Sequence, residues 1–266
     1  MGGGNINLAC LDSENYLMPP TPPAPAVSDP ANIPTNVAKL TADIRPFLDG
    51  IHMLMIVSAL VSRQEAAIAL LAAQIAQTQG VFTLALVAPP TVPQQLPQPD
   101  SVPDDLTRLR AMTDALILLP LARLGEENGR SPMPETAQNY ICWAVKAICT
   151  LLRPGLVNID FSALQTVLKT DGPIFLGGHC ASGPDRAVQA VQHAMYSPPM
   201  DLSIHGAHNI LLQIQTGAKF YLWEFTEIIN RIKEQIHTNA NLTFGTLIDP
   251  EMGDTICLTI LASKFD

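Results

Sequence analysis

Two near-continuous apolar runs, His52–Leu60 (HMLMIVSAL) and Val81–Val87 (VFTLALV), flank an alanine- and leucine-rich segment, Ser62–Gln79, that holds neither proline nor glycine. Apolar runs of strand length without polar alternation read as strands covered on both faces, the condition of central parallel strands. The segment between them reads as a helix, with Gly80 as its stop. Strand, helix and strand in this order form a βαβ unit with a right-handed connection. A parallel sheet needs helices on its faces, so this unit commits the first half of the chain to an α/β layer architecture.

The remaining segments extend that reading in both directions. Asn5–Cys10 reads as a short strand, and Leu17–Pro34, with seven prolines, as an irregular loop. Val37–Leu48 has helical spacing, interrupted late by Pro46. Pro89–Pro103 is a Pro/Gln-rich surface excursion, Asp104–Met112 a helix, Ala115–Leu119 a third buried strand and Gly125–Pro134 a polar connector. Thr136–Leu152 is a long amphipathic helix that Pro154 and Gly155 stop. A tight loop, Arg153–Phe161 (RPGLVNIDF), then presents Asn158 and Asp160, and Asp160 is placed to cap a helix over Ser162–Leu168. Beyond it, strands are expected at Ile174–His179, Asn209–Gln215, Leu242–Ile248 and Ile256–Ala262, and helices at Gly183–Met195 and Leu222–Gln235. The fold class is α/β: two α/β subdomains joined by a long central helix, divided as 1–134, 135–153 (helix), 154–161 (acidic loop) and 162–266.

Composition narrows the function classes. A hydrophobic content of 47% with 15% charged residues excludes a disordered chain, and a net charge of -9 argues against phosphate-backbone binding. The five cysteines show no CxxC spacing. Cys142 and Cys149 share one helix face as expected buried thiols, and the reducing cytoplasm is the expected compartment. His179 and Cys180 are adjacent on a strand and point to opposite faces. His205 and His208 lack a third ligand in register, and Asp249–Asp254 reads as a solvated acidic hairpin; no metal is expected.

The loop Arg153–Phe161 resembles the one that follows the central helix of FtsZ, the bacterial tubulin homologue. The likeness continues through Ala181-Ser-Gly-Pro-Asp-Arg-Ala187, the Ser197-Pro198 break and Ile248-Asp-Pro-Glu-Met-Gly-Asp254, and His52–Val87 aligns without insertion. The resemblance implies a Rossmann-like nucleotide-binding half and a smaller C-terminal α/β half. It also implies a loop that reaches the nucleotide of the next subunit with two acidic residues. Asp160 matches the first acid and Asn158 the asparagine before it, while Ala163 stands at the second.

The departures fall on the nucleotide side. The family's phosphate-holding GGGTGTG is replaced by Val61-Ser-Arg-Gln-Glu-Ala-Ala67, which has no glycine. Close backbone approach to phosphates is what those glycines provide. The family's first strand has no counterpart before Asn5, and Asn7–Leu17 resembles its second. Loss of a central strand would make its neighbours pair directly or leave a gap in the core. Gly3 and Gly4 are a stump of the family's first glycine loop. The family's Glu and Arg fall in Pro90–Pro99, and its asparagine in Leu121–Ala122. Gln138 matches the base-reading aspartate, with Asn139 beside it. No intact nucleotide site and no cofactor are therefore expected. The expected function is a cell-division or cytoskeletal FtsZ-like protein that acts through contacts of its acidic-loop face with itself or a standard FtsZ. The chain ends without the family's linker and terminal peptide, so no direct membrane contact is expected. The alternatives are a GTP-binding and GTP-hydrolysing FtsZ that polymerises into division filaments, with GTP as cofactor, and a truncated, decaying gene product.

Overall fold

The computed structural model describes residues 8–12, 44–58, 63–88, 102–119, 137–197 and 202–265. The chain divides into two compact units, Gly4–Ala122 and Arg123–Asp266.

The first unit is a parallel sheet of β1 (Leu8–Asp12), β2 (Met53–Ser58), β3 (Phe82–Val87) and β4 (Ala115–Leu118), in the order β1-β2-β3-β4. Helices α1 (Arg63–Gln79) and α2 (Val102–Met112) connect β2 to β3 and β3 to β4. Every residue of β2 and β3 is buried. Leu54, Ile56, Ala85 and Val87 on one face meet Ala66, Ala69, Ala72, Ala73 and Ala76 of α1 and Leu109 of α2. The alanines carry no side-chain bulk, which lets α1 lie close to the sheet while retaining the highest helix propensity. Gly80 closes α1 with φ +69°, a conformation that a Cβ disfavours. Leu8 pairs with Met53 and Asp12 with Val57, so β1 and β2 are direct neighbours and the sheet has no gap between them. The strand expected at Asn5–Cys10 lies further on, and residues 5–7 are outside the described residues. Of the helix expected at Val37–Leu48, the described part ends in a 3-10 turn, Arg45–Leu48; Pro46 has no N–H with which to continue an α-helical ladder.

The second unit contains α3 (Ala137–Leu151), α4 (Phe161–Leu168), β5 (Ile174–Ser182), α5 (Arg186–Ala194), β6 (Tyr196–Ser197), β7 (Leu202–Ser203), β8 (Asn209–Thr216), α6 (Leu222–Gln235), β9 (Asn241–Ile248) and β10 (Thr255–Ser263). Its main sheet has the order β5-β10-β8-β9; β10 is antiparallel to both neighbours, and β8 and β9 are parallel across α6. Phe175, Ile210, Leu212, Ile214, Leu258 and Ile260 pack on one face against Ala187, Ala190 and Val191 of α5 and Ile228 and Ile232 of α6. Helices α3 and α4 also pack against this sheet. The buried stripe of α3 is Tyr140, Ala144, Ala147, Ile148 and Leu151, at helical spacing. Cys142 lies off this stripe and is exposed, and Cys149 is half-buried at its margin. The pair expected to be buried thus borders the core.

Two further expectations are corrected. β5 does not end at His179 but continues to Ser182, because β10 pairs with it along its whole length. Asp249–Asp254 is not a hairpin, since β9 and β10 lie on opposite sides of β8. Asp249 Oδ1 accepts the Glu251 N–H at 3.1 Å, and the short 3-10 turn Pro250–Met252 carries the chain across.

One buried ion pair fixes an end of this unit. Arg186 Nε donates to Glu224 Oε1 at 2.6 Å and its Nη2 to Glu224 Oε2 at 3.0 Å. The same guanidinium donates to the carbonyls of Asp254 and Lys219, each at 2.6 Å. Glu224 also accepts the Tyr221 N–H at 2.9 Å, which closes a capping box on α6. Burial pushes the Glu224 carboxyl up, but the hydrogen bonds from Arg186 and Tyr221 outweigh it and hold the group below its ordinary value. Arg186→Ala leaves Glu224 buried without its cation and is expected to cost about 3–5 kcal/mol in urea unfolding, whereas the paired apolar replacement Arg186→Met with Glu224→Leu recovers most of that loss.

Candidate functional site

The loop 154–160 lies wholly within the described residues. The last turn of α3 tightens: Leu152 N–H donates to Cys149 O and Arg153 N–H to Thr150 O, both at 3.2 Å. Pro154 then ends the helix, and Gly155 is seated against β9. A Cβ on Gly155 would stand 2.2 Å from the Thr246 carbonyl oxygen, so only glycine fits. Its N–H donates to Asn158 Oδ1 at 2.7 Å, which folds the loop back on itself. Leu156 N–H donates to Thr246 O at 2.8 Å, and Thr246 N–H returns a bond to Val157 O at 2.9 Å. Ile159 is buried against Gly245, where a Cβ would stand 2.9 Å from Ile159 Cγ1 and 2.4 Å from Gln213 Oε1. A backbone bridge, the Asn158 side-chain bond back to Gly155 and one buried isoleucine therefore hold the loop.

Asp160 emerges from this anchor. It is the N-cap residue of α4 in extended conformation, and its carbonyl accepts the Ala163 and Leu164 N–H groups at 3.0 and 3.2 Å. Its side chain makes no capping hydrogen bond. That corrects the expectation of a side-chain cap: Asp160 holds the N-cap position through its backbone, and the residue is exposed. Ala163 lies half-buried in the first turn of α4. Asn158 and Asp160 are thus brought together on one loop but do different things, the Asn158 amide bonded within the turn and Asp160 exposed at the N-cap.

Several large apolar side chains of this unit are exposed as well. Leu156 is 75% exposed, Leu222 79% and Trp223 56%, with Tyr221, Val157 and Ile248 also exposed. All lie on the loop, at the carboxyl end of β9, or in the first turn of α6 that follows β8. The Arg186–Glu224 pair holds that first turn through the Tyr221 N–H.

Few of the positions expected on the nucleotide side are among the described residues. Gly3 and Gly4, residues 59–62, Pro90–Pro99 and Leu121–Ala122 are outside the described residues. Gln138 and Asn139 are in the first turn of α3, and their side chains are likewise outside the described residues. The helix places them at the opposite end from the loop, about 22 Å away at 1.5 Å per residue over its 15 residues. Glu65 stands in the first turn of α1.

The histidines and cysteines sort differently from their sequence reading. The His179 ring stacks on His193 with centroids 4.6 Å apart, and His208 stacks on His237 at 4.0 Å. Among the described residues no three metal-ligating side chains converge. Cys180 is bonded to Cys257 across β5 and β10. No sequence spacing announced this pair, because the two residues are 77 apart and are set opposite each other only by strand register. Likewise nothing in the sequence marks Tyr221–Trp223 as exposed, because apolar residues at a helix start read as core.

Known proteins share this architecture. The C-terminal domain of the FtsZ family matches residues 172–266. The chain is 30% identical over 225 residues to the cell division protein FtsZ of Mycoplasmopsis pulmonis (strain UAB CTIP), covering 83% of this chain and 58% of the relative. The chain thus spans less than two thirds of that relative's length. Among solved structures, an empty FtsZ dimer from M. jannaschii superposes with a TM-score of 0.72 at 24% identity, covering 86% of this chain and 68% of the other. CetZ2 from Haloferax volcanii, solved as a GTPγS-bound protofilament, superposes with a TM-score of 0.60 at 15% identity, covering 86% and 71%. These two superpositions concern the fold.

Two outcomes follow from the geometry. Gly155→Ala drives a methyl into the Thr246 carbonyl and is expected to destabilise the second unit by about 1–3 kcal/mol, with loss of hydrogen-exchange protection at the Leu156 and Thr246 amides. Burial, and then the charge of His193, hold the His179 imidazole down at about 4, below the ordinary 6.5. The folded state therefore resists a proton that the unfolded chain takes up. The contribution is complete above pH 6.5 and is lost as pH falls toward about 4, and His179→Phe flattens that limb of the stability–pH curve measured by urea unfolding.

Proposed function

Because the chain belongs to the FtsZ/tubulin superfamily, we propose that it works by subunit contact, offering its loop face to a second copy or to a standard FtsZ, with little or no GTP binding. The observation that carries this reading is the construction of the loop. Glycine fit, the Val157–Thr246 bridge and buried Ile159 fix its backbone, while Asp160 and Leu156 remain exposed. A rigid loop that presents one charge among apolar side chains has the make-up of an interface, since preordered groups lose little entropy on docking. Catalysis across that interface would need the nucleotide and a second acid. Ala163 supplies no carboxylate, and Val61–Ala67 supplies no glycine for phosphate approach. A chain of this kind caps or modulates a filament of the family's usual type. Its place of action would be the cytoplasm, where such filaments assemble; among the described residues no helix is long and apolar enough to cross a membrane.

Sedimentation with a standard FtsZ polymerised in GTP tests the reading. Co-pelleting is expected for the wild type and is expected to weaken about tenfold or more for Leu156→Asp, since a charge placed in a desolvated contact costs upward of 1.4 kcal/mol. Absence of association in every nucleotide state, together with a single monomeric species, contradicts it. Calorimetric titration with GTP is expected to give no binding tighter than about 100 μM, and tighter binding would favour the GTP-hydrolysing alternative.

A further inference from the structure

A cavity of 230 Å³ opens between α3 and the sheet of the second unit, lined by Trp143, Lys146, Thr150, His179, Cys180 and Cys257 among others. Gly178 and Cys180, two apart on β5, share the face that meets α3. A Cβ on Gly178 would stand 3.0 Å from Trp143 Cζ2, so the indole lies over the strand two residues from Cys180 and lines the cavity with the cystine. Cys180 is exposed and Cys257 half-buried. Their Cα atoms are 4.0 Å apart, directly opposite in the ladder.

We propose that Cys180 and Cys257 are a reversible dithiol–disulfide pair, a redox modification site whose state α3 reads through Trp143 and the cavity. Three observations support reversibility. The strands that carry the sulfurs are paired over Thr255–Ser263 and Ile174–Ser182 by main-chain bonds, so register holds the thiols face to face after reduction. The bond is reached from solvent through the cavity, and exposed disulfides exchange where buried structural ones resist. Lys146 lines the same cavity and its positive charge favours the thiolate that exchange requires. Coupling to α3 follows from contact. Thr150 lines the cavity in the last turn before Pro154, so a change in how α3 sits over the pair is passed toward the loop. The inference does not depend on the reading of the loop as an interface.

The chemistry balances with a small-molecule disulfide of the glutathione class as oxidant. One thiolate of the pair attacks the small disulfide, whose S–S bond breaks to release one small thiolate and leave a mixed disulfide. The second thiolate attacks the protein sulfur of that mixed disulfide; the Cys180–Cys257 bond forms and the second small thiolate leaves. Two electrons pass from the pair to the small disulfide, and the two cysteine protons end on the two small thiols.

The test uses the full chain equilibrated in reduced and oxidised glutathione at a series of ratios, then acid-trapped, alkylated and mapped by mass spectrometry. The expected result is one two-electron step in which the linked 180–257 peptide is lost and both cysteines become alkylated. Trp143 emission rises in step with reduction, since a disulfide quenches a neighbouring indole. The rise persists in Trp223→Phe and is lost in Trp143→Phe. Cys180→Ser with Cys257→Ser removes the redox dependence of emission, and the wild-type titration stands alone if that variant does not fold. Thiols alkylated at every ratio, a linkage that survives every ratio, or a titration with no Trp143 response would each overturn the proposal.

Discussion

The second unit depends on the guanidinium of Arg186. Four hydrogen bonds from its planar fork meet a carboxylate and two carbonyls, and the three partners come from separate stretches: the first turn of α6, the residue before β10 and the chain leaving β8. Lysine could not hold them, because a point charge has no fork. The pair is buried, so its Coulomb attraction is offset by desolvation and its net contribution to stability is modest. What it sets is geometry. With these segments tied at one end of the sheet, the start of α6, and with it Tyr221, Leu222 and Trp223, has a fixed position.

The loop that follows α3 is held by different physics at the same sheet. Gly155 and Gly245 are small so that two backbones touch, and Ile159 supplies the one apolar anchor. Asn158, matched in the resemblance to a residue beside a catalytic acid, is occupied with the Gly155 N–H. Its role here is to shape the turn. Asp160 has the extended backbone usual at an N-cap but lacks the side-chain bond usual there. The same position that a helix start would ordinarily absorb is left facing solvent.

Much of this was legible in the sequence wherever one local pattern decided the outcome. The continuous apolar runs became β2 and β3, the alanine-rich segment became α1, and Leu222–Gln235 appeared with the expected bounds. Helix stops at Gly80 and Pro154 were read from single residues. Elements failed to be legible when register or a partner decided them. His179 looked like a strand end because its continuation depends on pairing with β10, and Asp249–Asp254 looked like a hairpin because the intervening β8 lies far off in sequence. Cys180 and Cys257 are neighbours only through that same register. Asp160 before an apolar run reads as a side-chain cap, and only the structure shows that it fills the N-cap position without that bond. For the loop face, sequence supplied Asn158 and Asp160 but not the exposed Leu222 and Trp223, whose exposure follows from where Arg186 pins the helix start.

β9 is the outermost strand of its sheet, with β8 on one side alone. Such a strand carries a row of amides and carbonyls open to any passing extended chain. The Leu156–Val157 segment occupies part of that row, taking both hydrogen bonds of Thr246 for itself. The turn that displays Asp160 is therefore also the guard of a sticky edge. A sequence free to drift at this turn would lose more than a contact surface: it would uncover a strand able to recruit strands indiscriminately, and ordered pairing would give way to aggregation. Selection for a soluble chain alone would thus preserve the shape of the turn, even after any chemistry once performed there had gone.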